Sequence, residues 1–213
     1  MNAYWDTYAT GWGVNDWPDE TKFRGWTQYA EHGPGPDFAG APKTVLELGC
    51  GDATELAYFA RQGAEATGID LAGAHVERAR ERCEGLDARL FQQSAAEFLT
   101  HTTEGFDAVI SRFGAVWFDD PRQLFPLIRR RMNPGGVLLF THGPAVEGCY
   151  GPQGIYPGAL RGRPIAVKRW SYTPRTYEDM LRQADFAAVE AQVYPAPDPE
   201  DLGTLMVRAW VAQ

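Results

Sequence analysis

The chain has 213 residues, 44% of them hydrophobic, and a formal net charge of −8 at neutral pH, which predicts one domain with a single core. This acidic balance argues against nucleic acid or an anionic membrane as the main partner, because both attract fields of lysine and arginine. No apolar run approaches the roughly 18 residues of a membrane span, so we expect a small-molecule ligand.

The three cysteines, Cys50, Cys83 and Cys149, lie far apart without a CxxC pair and predict neither a disulfide framework nor a zinc site. The first residues lack the basic start and apolar core of a signal peptide. We therefore expect a cytoplasmic protein that does not enter a membrane. We also expect a monomer or a homodimer.

Four segments follow one another along the chain. Residues 1–40 carry many aromatic side chains and predict one or two amphipathic helices. Over residues 44–141 short apolar runs alternate with helical patterns, which is typical of a mostly parallel sheet with helices on both faces. Residues 142–172 are crowded with Gly, Pro, Tyr and Arg and predict a long irregular insertion. Residues 173–213 predict a helix and two strands that can pair as an antiparallel hairpin.

The segment VLELGCGDA, residues 45–53, runs an apolar strand into a glycine turn. Gly49 and Gly51 allow backbone angles and close approaches that a Cβ atom would prevent, and the following helix offers free N–H groups to a ligand. Because ligands gather at the carboxyl ends of parallel strands, the turn predicts a binding site. Taken alone, it also fits a nicotinamide-dependent oxidoreductase or a purely structural turn.

Two carboxylates indicate which class of ligand the glycine turn binds. Asp70 ends the second predicted strand, 19 residues after Gly51, where a carboxylate can accept hydrogen bonds from ribose hydroxyls. Glu47, inside the first strand, would repel a pyrophosphate and suits a cationic ligand instead. An oxidoreductase would also favour a third glycine in the turn, where the chain has Ala53, Thr54 and Glu55. The pair therefore favours a ribose-containing cation over a nicotinamide dinucleotide.

Three ordered motifs carry a family resemblance. VLELGCGDA resembles the first motif of class I S-adenosylmethionine-dependent methyltransferases, TGIDLAGAHVERAR resembles their second-strand acidic motif, and FDAVISRFGAVWFDDPRQLFPLIRRRMNPGGVLLF resembles their segment from the fourth to the fifth strand. The resemblance implies an α/β fold: a Rossmann-like three-layer sandwich with a mostly parallel seven-stranded sheet, an antiparallel last strand and an N-terminal helical cover. It also implies methyl transfer from S-adenosyl-L-methionine to a small-molecule acceptor.

The resemblance further implies a set of cofactor-binding residues. The glycine turn would hold the methionine and ribose part, Asp70 the ribose hydroxyls and Glu47 the amino end, while Ser94 and Ala95 stand where relatives often carry an acid followed by Ala beside the adenine. Arg112 is consistent either with a residue that binds the cofactor carboxylate or with a solvated surface charge. Trp117 is consistent either with a residue of the binding site or with one that packs in the core. The implied set is Glu47, Gly49, Cys50, Gly51, Asp70, Leu71, Ser94, Ala95, Arg112, Trp117, Tyr4 and Tyr8.

The acceptor site is predicted from the residues after the fifth strand. Of the four histidines only His142 has a suitable place for a general base, although a hydrogen bond to the acceptor or within the loop fits it too. Aromatic side chains give apolar walls with polar tips, and five are predicted to bind the acceptor: Trp117, Tyr150, Tyr156, Trp170 and Tyr172. The fourth strand ends in Ser111 and Arg112 rather than an acid, so no metal is expected.

Two alternatives keep the same fold. An RNA methyltransferase would use the basic runs RRRM and RGRPIAVKRW, but such runs are commonly solvated faces or helix ends. A binding module would hold S-adenosylmethionine without transferring the methyl group. Only an assay of methyl transfer separates the second alternative from an enzyme.

Overall fold

The structure, a computed structural model, describes residues 2–11, 22–155, 159–160, 163–164 and 166–213. None of the helices in these ranges is long and apolar enough to cross a membrane. The helices of the described residues are α1 (Asn2–Gly11), α2 (Thr54–Arg61), α3 (Gly73–Arg82), α4 (Ala95–His101), α5 (Ala115–Phe118), α6 (Pro121–Arg129) and α7 (Pro174–Gln183), with a 3-10 turn at Pro36–Ala39. Their strands are β1 (Thr44–Leu48), β2 (Glu65–Asp70), β3 (Ala88–Gln92), β4 (Phe106–Arg112), β5 (Met132–His142), β6 (Gly151–Ile155), β7 (Ala159–Leu160), β8 (Arg163–Pro164), β9 (Val167–Ser171), β10 (Ala188–Tyr194) and β11 (Thr204–Trp210).

Seven strands form the main sheet in the order β10-β11-β5-β4-β1-β2-β3. The pairs from β3 to β5 are parallel, whereas β11 runs antiparallel to both β5 and β10. The order reverses at β1, whose neighbours are β2 and β4, so the carboxyl ends of these strands frame a crevice. This sheet confirms the predicted fold, including its antiparallel last strand.

Side chains alternate across β1 and fill the two layers that cover the sheet. Leu46 and Leu48 pack into the core beneath α4, α6 and α7. Val45 packs into the core on the other face, against α2 and α3. Glu47 shares the face of Val45, which brings its carboxylate under the first turn of α2.

Local sequence signals account for the helix ends. Helix α3 and the residue after it bury an apolar stripe at Val76, Ala79 and Cys83. Thr173 caps α7 by accepting a hydrogen bond from the Thr176 N–H, and Pro174 follows in the first helical turn. The buried side of α7 then packs on the sheet.

Of the one or two helices predicted before residue 40, the described residues contain α1. Residues 22–35 are irregular. Trp26 is fully buried, and its indole N–H donates to the Gly35 carbonyl at 2.9 Å. Burial of single aromatic side chains, rather than a helical stripe, therefore holds this segment on the domain.

The insertion is also more regular than predicted. β6 pairs antiparallel with β9, and β7 pairs with β8. Pro152 and Gly154 are tolerated in β6 because a two-stranded ribbon leaves one edge of each strand unpaired. The part of the insertion that the structure describes is therefore a ribbon, which packs on α5 through β9.

Gly114 provides a test of the packing at the crevice. A Cβ atom there would overlap the Leu48 carbonyl oxygen and lie 2.8 Å from that of Gly49. We expect Gly114→Ala to lower the free energy of unfolding by about 1–3 kcal/mol, as measured by urea denaturation. Gly154→Ala is the matched control, since nothing lies within 4 Å of its added Cβ; equal losses in both variants would contradict the packing argument.

Candidate active site

A cavity of about 640 Å³ lies at the crevice beside β1, β2 and β4. Its lining comes from the glycine turn, α1, the segment after β4 and the ribbon. This volume is in the range of small-molecule sites. Most of the implied cofactor-binding residues line it: Glu47, Gly49, Cys50, Gly51, Asp70, Leu71, Ala95, Arg112, Trp117, Tyr4 and Tyr8.

The glycine turn is fixed by backbone contacts on two sides. The N–H groups of Gly49 and Cys50 both donate to the Ile69 carbonyl, at 2.8 and 3.0 Å. A Cβ atom on Gly49, whose φ is 76°, would lie 2.5 Å from the Ala115 nitrogen. Only glycine therefore fits where β1 meets the segment after β4.

Ala53 takes the conformation that a third glycine would favour. Its φ of 59° and ψ of 34° are left-handed, and it stands at the N-cap of α2. The turn thus has a glycine-like backbone at three places, although the chain supplies glycine only at Gly49 and Gly51.

Asp70 joins the turn to the start of α3. Its Oδ2 accepts from the Gly51 N–H at 2.9 Å, and its Oδ1 accepts from the Ala72 N–H at 2.8 Å. The His75 Nδ1 lies 3.5 Å from Oδ1. Because each carboxylate oxygen has two lone pairs, both oxygens keep acceptor capacity for a ligand hydroxyl.

Two buried glutamates meet at the first turn of α2. The Glu47 Oε2 accepts from the Leu56 N–H at 3.1 Å. Burial raises the pKa of Glu47 well above its usual value, and the neighbouring Glu55 raises it further. Burial also raises the pKa of Glu55. The Glu55 Oε1 is buried without a hydrogen-bond partner in the described structure, so this end of the cavity holds unsatisfied acidic groups.

Arg112 is a cation beside these acids. Its Nε lies 3.5 Å from the Glu55 Oε1, close enough for attraction but not aligned for a hydrogen bond. Its guanidinium donates to the carbonyls of Gly25 and Thr27, at 2.7 and 2.8 Å. Arg112 is therefore not a solvated charge: it ties the N-terminal segment to the cavity.

Of the two residues predicted beside the adenine, Ala95 lines the cavity and Ser94 does not. Ser94 does not line the cavity, because its hydroxyl accepts from the Glu97 N–H and caps α4. Gln93 and Ala95, on either side of it, do line the cavity. The serine that replaces the family's acid thus has a helix-capping role. Gln93 was missed because the family motif assigns only the acid position and the Ala after it.

Helix α1 covers the cavity as the resemblance implies. Tyr4 and Tyr8 line it, and the Trp5 ring packs edge-on against Phe118 at 4.7 Å. The Asp6 Oδ1 accepts from the Gly73 N–H at 3.0 Å. This hydrogen bond fixes α1 to the first turn of α3.

His142 lies behind the cavity lining, contrary to its predicted place at the ligand-facing edge. It is fully buried, and its ring stacks on Trp117 with centroids 5.1 Å apart. Its Nδ1–H donates to the Gly143 carbonyl at 2.7 Å, which leaves Nε2 to accept from the Tyr177 hydroxyl at 3.1 Å. Burial lowers the pKa of His142 to about 4. This neutral ring is placed to hold Trp117 rather than to reach a ligand.

The predicted acceptor-binding aromatics are mostly elsewhere. Trp170 and Tyr172 are buried in the core, and Tyr150 is half exposed at a second cavity of about 250 Å³ that Tyr172 also borders. Tyr156 lies outside the described residues. Of the predicted acceptor-binding residues in the described ranges only Trp117 lines the main cavity, to which the ribbon contributes Ile155 and Val167 instead.

Sequence reasoning also missed charged residues of the lining. Arg82 donates to the carbonyl and the carboxylate of Asp52 at 2.9 and 3.2 Å, and both line the cavity. Asp119 lines it beside Phe118, and burial raises the pKa of Asp119 to about 6. No sequence motif places Arg82 beside the glycine turn. The acid pair at residues 119–120 resembles an ordinary helix cap and was not recognised as part of a site. Within the described residues, no group of three His, Cys, Asp or Glu side chains could hold a metal ion.

The sequence comparisons agree with this site. Residues 45–136 match the family model described as a methyltransferase domain. The malonyl-[acyl-carrier protein] O-methyltransferase of Salmonella typhimurium is 32% identical over 98 residues, 46% of this chain and 38% of that protein. The erythromycin 3''-O-methyltransferase of Saccharopolyspora erythraea is 32% identical over 161 residues, 70% of this chain and 52% of that protein. The chain therefore spans about two fifths to half of the length of these relatives.

Solved structures share the fold. The 1,6-didemethyltoxoflavin-N1-methyltransferase of Burkholderia thailandensis, bound to S-adenosylhomocysteine, superposes with a TM-score of 0.60 at 21% identity and covers 81% of this chain and 72% of its own. A glycopeptide N-methyltransferase complexed with sinefungin gives 0.62 at 18% identity and 83% of each chain. With the family match over residues 45–136, these similarities confirm the resemblance to the class I S-adenosylmethionine-dependent methyltransferases.

His142 makes the stability depend on pH in a testable way. Its pKa falls from 6.5 to about 4 on folding, so protons favour the unfolded chain and stability declines as the pH drops through that range. Between pH 7 and pH 5 this group alone should lower the free energy of unfolding by about 2 kcal/mol.

His142→Phe keeps an aromatic ring against Trp117 but cannot titrate. Urea denaturation of both proteins at the two pH values isolates the histidine, because the lost hydrogen bonds cost the variant a similar amount at each pH. We expect the wild type to lose about 2 kcal/mol more than the variant. Parallel losses would contradict a buried neutral imidazole.

Proposed function

We propose that the protein transfers a methyl group from S-adenosylmethionine to a small-molecule acceptor by in-line displacement, without a metal ion. One observation carries the proposal: Glu47, the glycine turn and Asp70 border a single cavity that α1 covers. When bound there, S-adenosylmethionine supplies an electrophilic methyl group. The protein has to bind both reactants in line and keep water out.

The residues present fit such a ligand. Burial holds the pKa of both Glu47 and Glu55 above the usual value despite the nearby guanidinium groups of Arg112 and Arg24, so a ligand ammonium group would stabilise their charged forms and lower their pKa. Asp70 keeps free lone pairs for two neighbouring hydroxyls. The unpartnered Glu55 Oε1 is explained if it receives a hydrogen bond from the ligand.

The names of the relatives support a small molecule as acceptor. Two matched proteins are named for methylating malonyl-[acyl-carrier protein] and erythromycin. The net charge of −8 argues against RNA. The cytoplasmic location and the monomeric or homodimeric state stay predictions.

Asp70→Ala tests the cofactor site. Loss of charge-assisted hydrogen bonds to two hydroxyls should weaken binding of S-adenosylhomocysteine about 10- to 100-fold, as measured by isothermal titration. Asp87→Ala is the matched control, since Asp87 is exposed before β3, at the opposite edge of the sheet. Equal affinities for all three proteins would remove Asp70 from the site, and binding of NAD(H) in place of S-adenosylhomocysteine would overturn the proposal.

Metal independence is tested by chelation. We expect methyl transfer to continue after exhaustive treatment with EDTA, because alignment and proton removal by side chains suffice for attack on a sulfonium methyl group. The measurement is product formation by mass spectrometry with a panel of small hydroxyl and amine acceptors. Activity that is lost on chelation and restored by magnesium would contradict this expectation.

A further inference from the structure

Asp119 places a carboxylate in an apolar part of the cavity. It follows the short helix α5, and its backbone N–H donates to the Ala115 carbonyl at 2.9 Å. Its neighbours in the chain, Trp117 and Phe118, also line the cavity, as do Ile155 and Val167 of the ribbon. Asp119 therefore has apolar side chains as neighbours in the cavity lining.

The charged groups on the packed elements are engaged elsewhere. Arg169 of β9 lies over the Trp117 ring and donates to Gln153, and Lys168 lies over Trp170. On α1, Asp6 accepts from the Gly73 N–H, and at the start of α6 Asp120 accepts from the Arg122 N–H. In the described part of the chain no hydrogen bond or ion pair reaches the Asp119 carboxylate.

The other acids of the cavity already have partners or belong to the cofactor end. Glu47 accepts from Leu56, and Asp70 accepts from Gly51 and Ala72. Asp52 pairs with Arg82, and Glu55 lies beside Arg112. Asp119 is thus the lining acid, among those described, whose carboxylate has neither a hydrogen bond nor an ion pair.

We propose that Asp119 is the general base of the methyl transfer and that the acceptor is a phenolic hydroxyl on an aromatic ring. This inference rests on the proposed function. The rings of Trp117, Phe118 and Trp5 form an apolar surface beside the carboxylate, which suits a flat aromatic acceptor. The hydroxyl of such an acceptor would donate its hydrogen bond to Asp119.

The acid–base chemistry agrees with this geometry. Burial raises the pKa of Asp119 to about 6, so the carboxylate is ionised at neutral pH and more basic than an exposed one. A phenol, with a pKa of about 10, is within reach of this base as the transition state develops. An aliphatic hydroxyl, whose pKa lies closer to that of water, is a much weaker acid and is not deprotonated by such a base.

The step balances with the groups named. The acceptor oxygen forms a bond to the sulfonium methyl carbon as the S–CH₃ bond breaks, and that electron pair stays on sulfur. The hydroxyl proton moves to the Asp119 carboxylate. The products are the methyl ether, S-adenosylhomocysteine and a protonated Asp119, which returns its proton to solvent.

Three phenols serve as probes: 4-hydroxybenzoate, catechol and 4-nitrophenol, each with S-adenosylmethionine and EDTA. Asp119→Asn should lower kcat about 100-fold or more while binding S-adenosylhomocysteine normally. The loss should be smallest for 4-nitrophenol, which ionises near neutral pH without a base. Asp119→Glu should recover part of the activity, and Asp120→Asn, which keeps a side chain able to cap α6, is the matched control with unchanged activity.

The pH dependence gives a second readout. The kcat/KM of the wild type should rise to a plateau as the pH passes about 6. The kcat/KM of Asp119→Asn should not show this rise. Because the folded-state pKa is raised, ionisation opposes folding as the pH rises through about 6. Asp119→Asn should therefore raise the melting temperature at pH 8 more than at pH 5.

Each of the remaining outcomes contradicts a different part of the proposal. A wild type that binds S-adenosylhomocysteine but methylates none of the phenols rules out the acceptor class and, with it, this inference. Full activity in Asp119→Asn, or a rise in KM at unchanged kcat, rules out the base. Failure of the wild type to bind S-adenosylhomocysteine overturns the proposed function itself.

Discussion

The backbones of two segments touch at the crevice, and the cavity depends on that contact. Gly49 and Gly114 have no side chains to separate the end of β1 from the start of α5. The Ser111 hydroxyl reinforces the contact by donating to the Leu48 carbonyl and accepting from the Val116 N–H. Because α5 begins there, its aromatic residues and the acid that follows them are held at a fixed place relative to the glycine turn.

The buried acids are arranged at an energetic cost that a bound cation would offset. Carboxylates that lose water without gaining full hydrogen bonds disfavour their charged forms, as the raised pKa of Glu47 and Glu55 indicates. Arg112 offsets this only in part, since its guanidinium also serves the carbonyls of Gly25 and Thr27. Binding at this end therefore affects the same arginine that holds the N-terminal segment.

Local patterns in the sequence predict the sheet and the cofactor end of the cavity, because strand burial and the glycine turn are set by near neighbours. The hydrogen bonds of Arg112 join residues more than 80 positions apart, and no local pattern reports them. His142 was misplaced for a different reason. It stacks 6.0 Å from Phe140, two residues earlier on the same face of β5, and the two-residue period of a strand already directs that face to the core.

The ribbon of β6 and β9 shares no strand pairing with the main sheet in the described structure. It is held instead by packing of the Trp170 side chain in the core. Its length and tip can therefore vary without breaking a hydrogen bond of the seven-stranded sheet. Insertions and deletions in this segment would remodel one side of the cavity while the scaffold beneath it stays intact, which gives related chains a route to new acceptors.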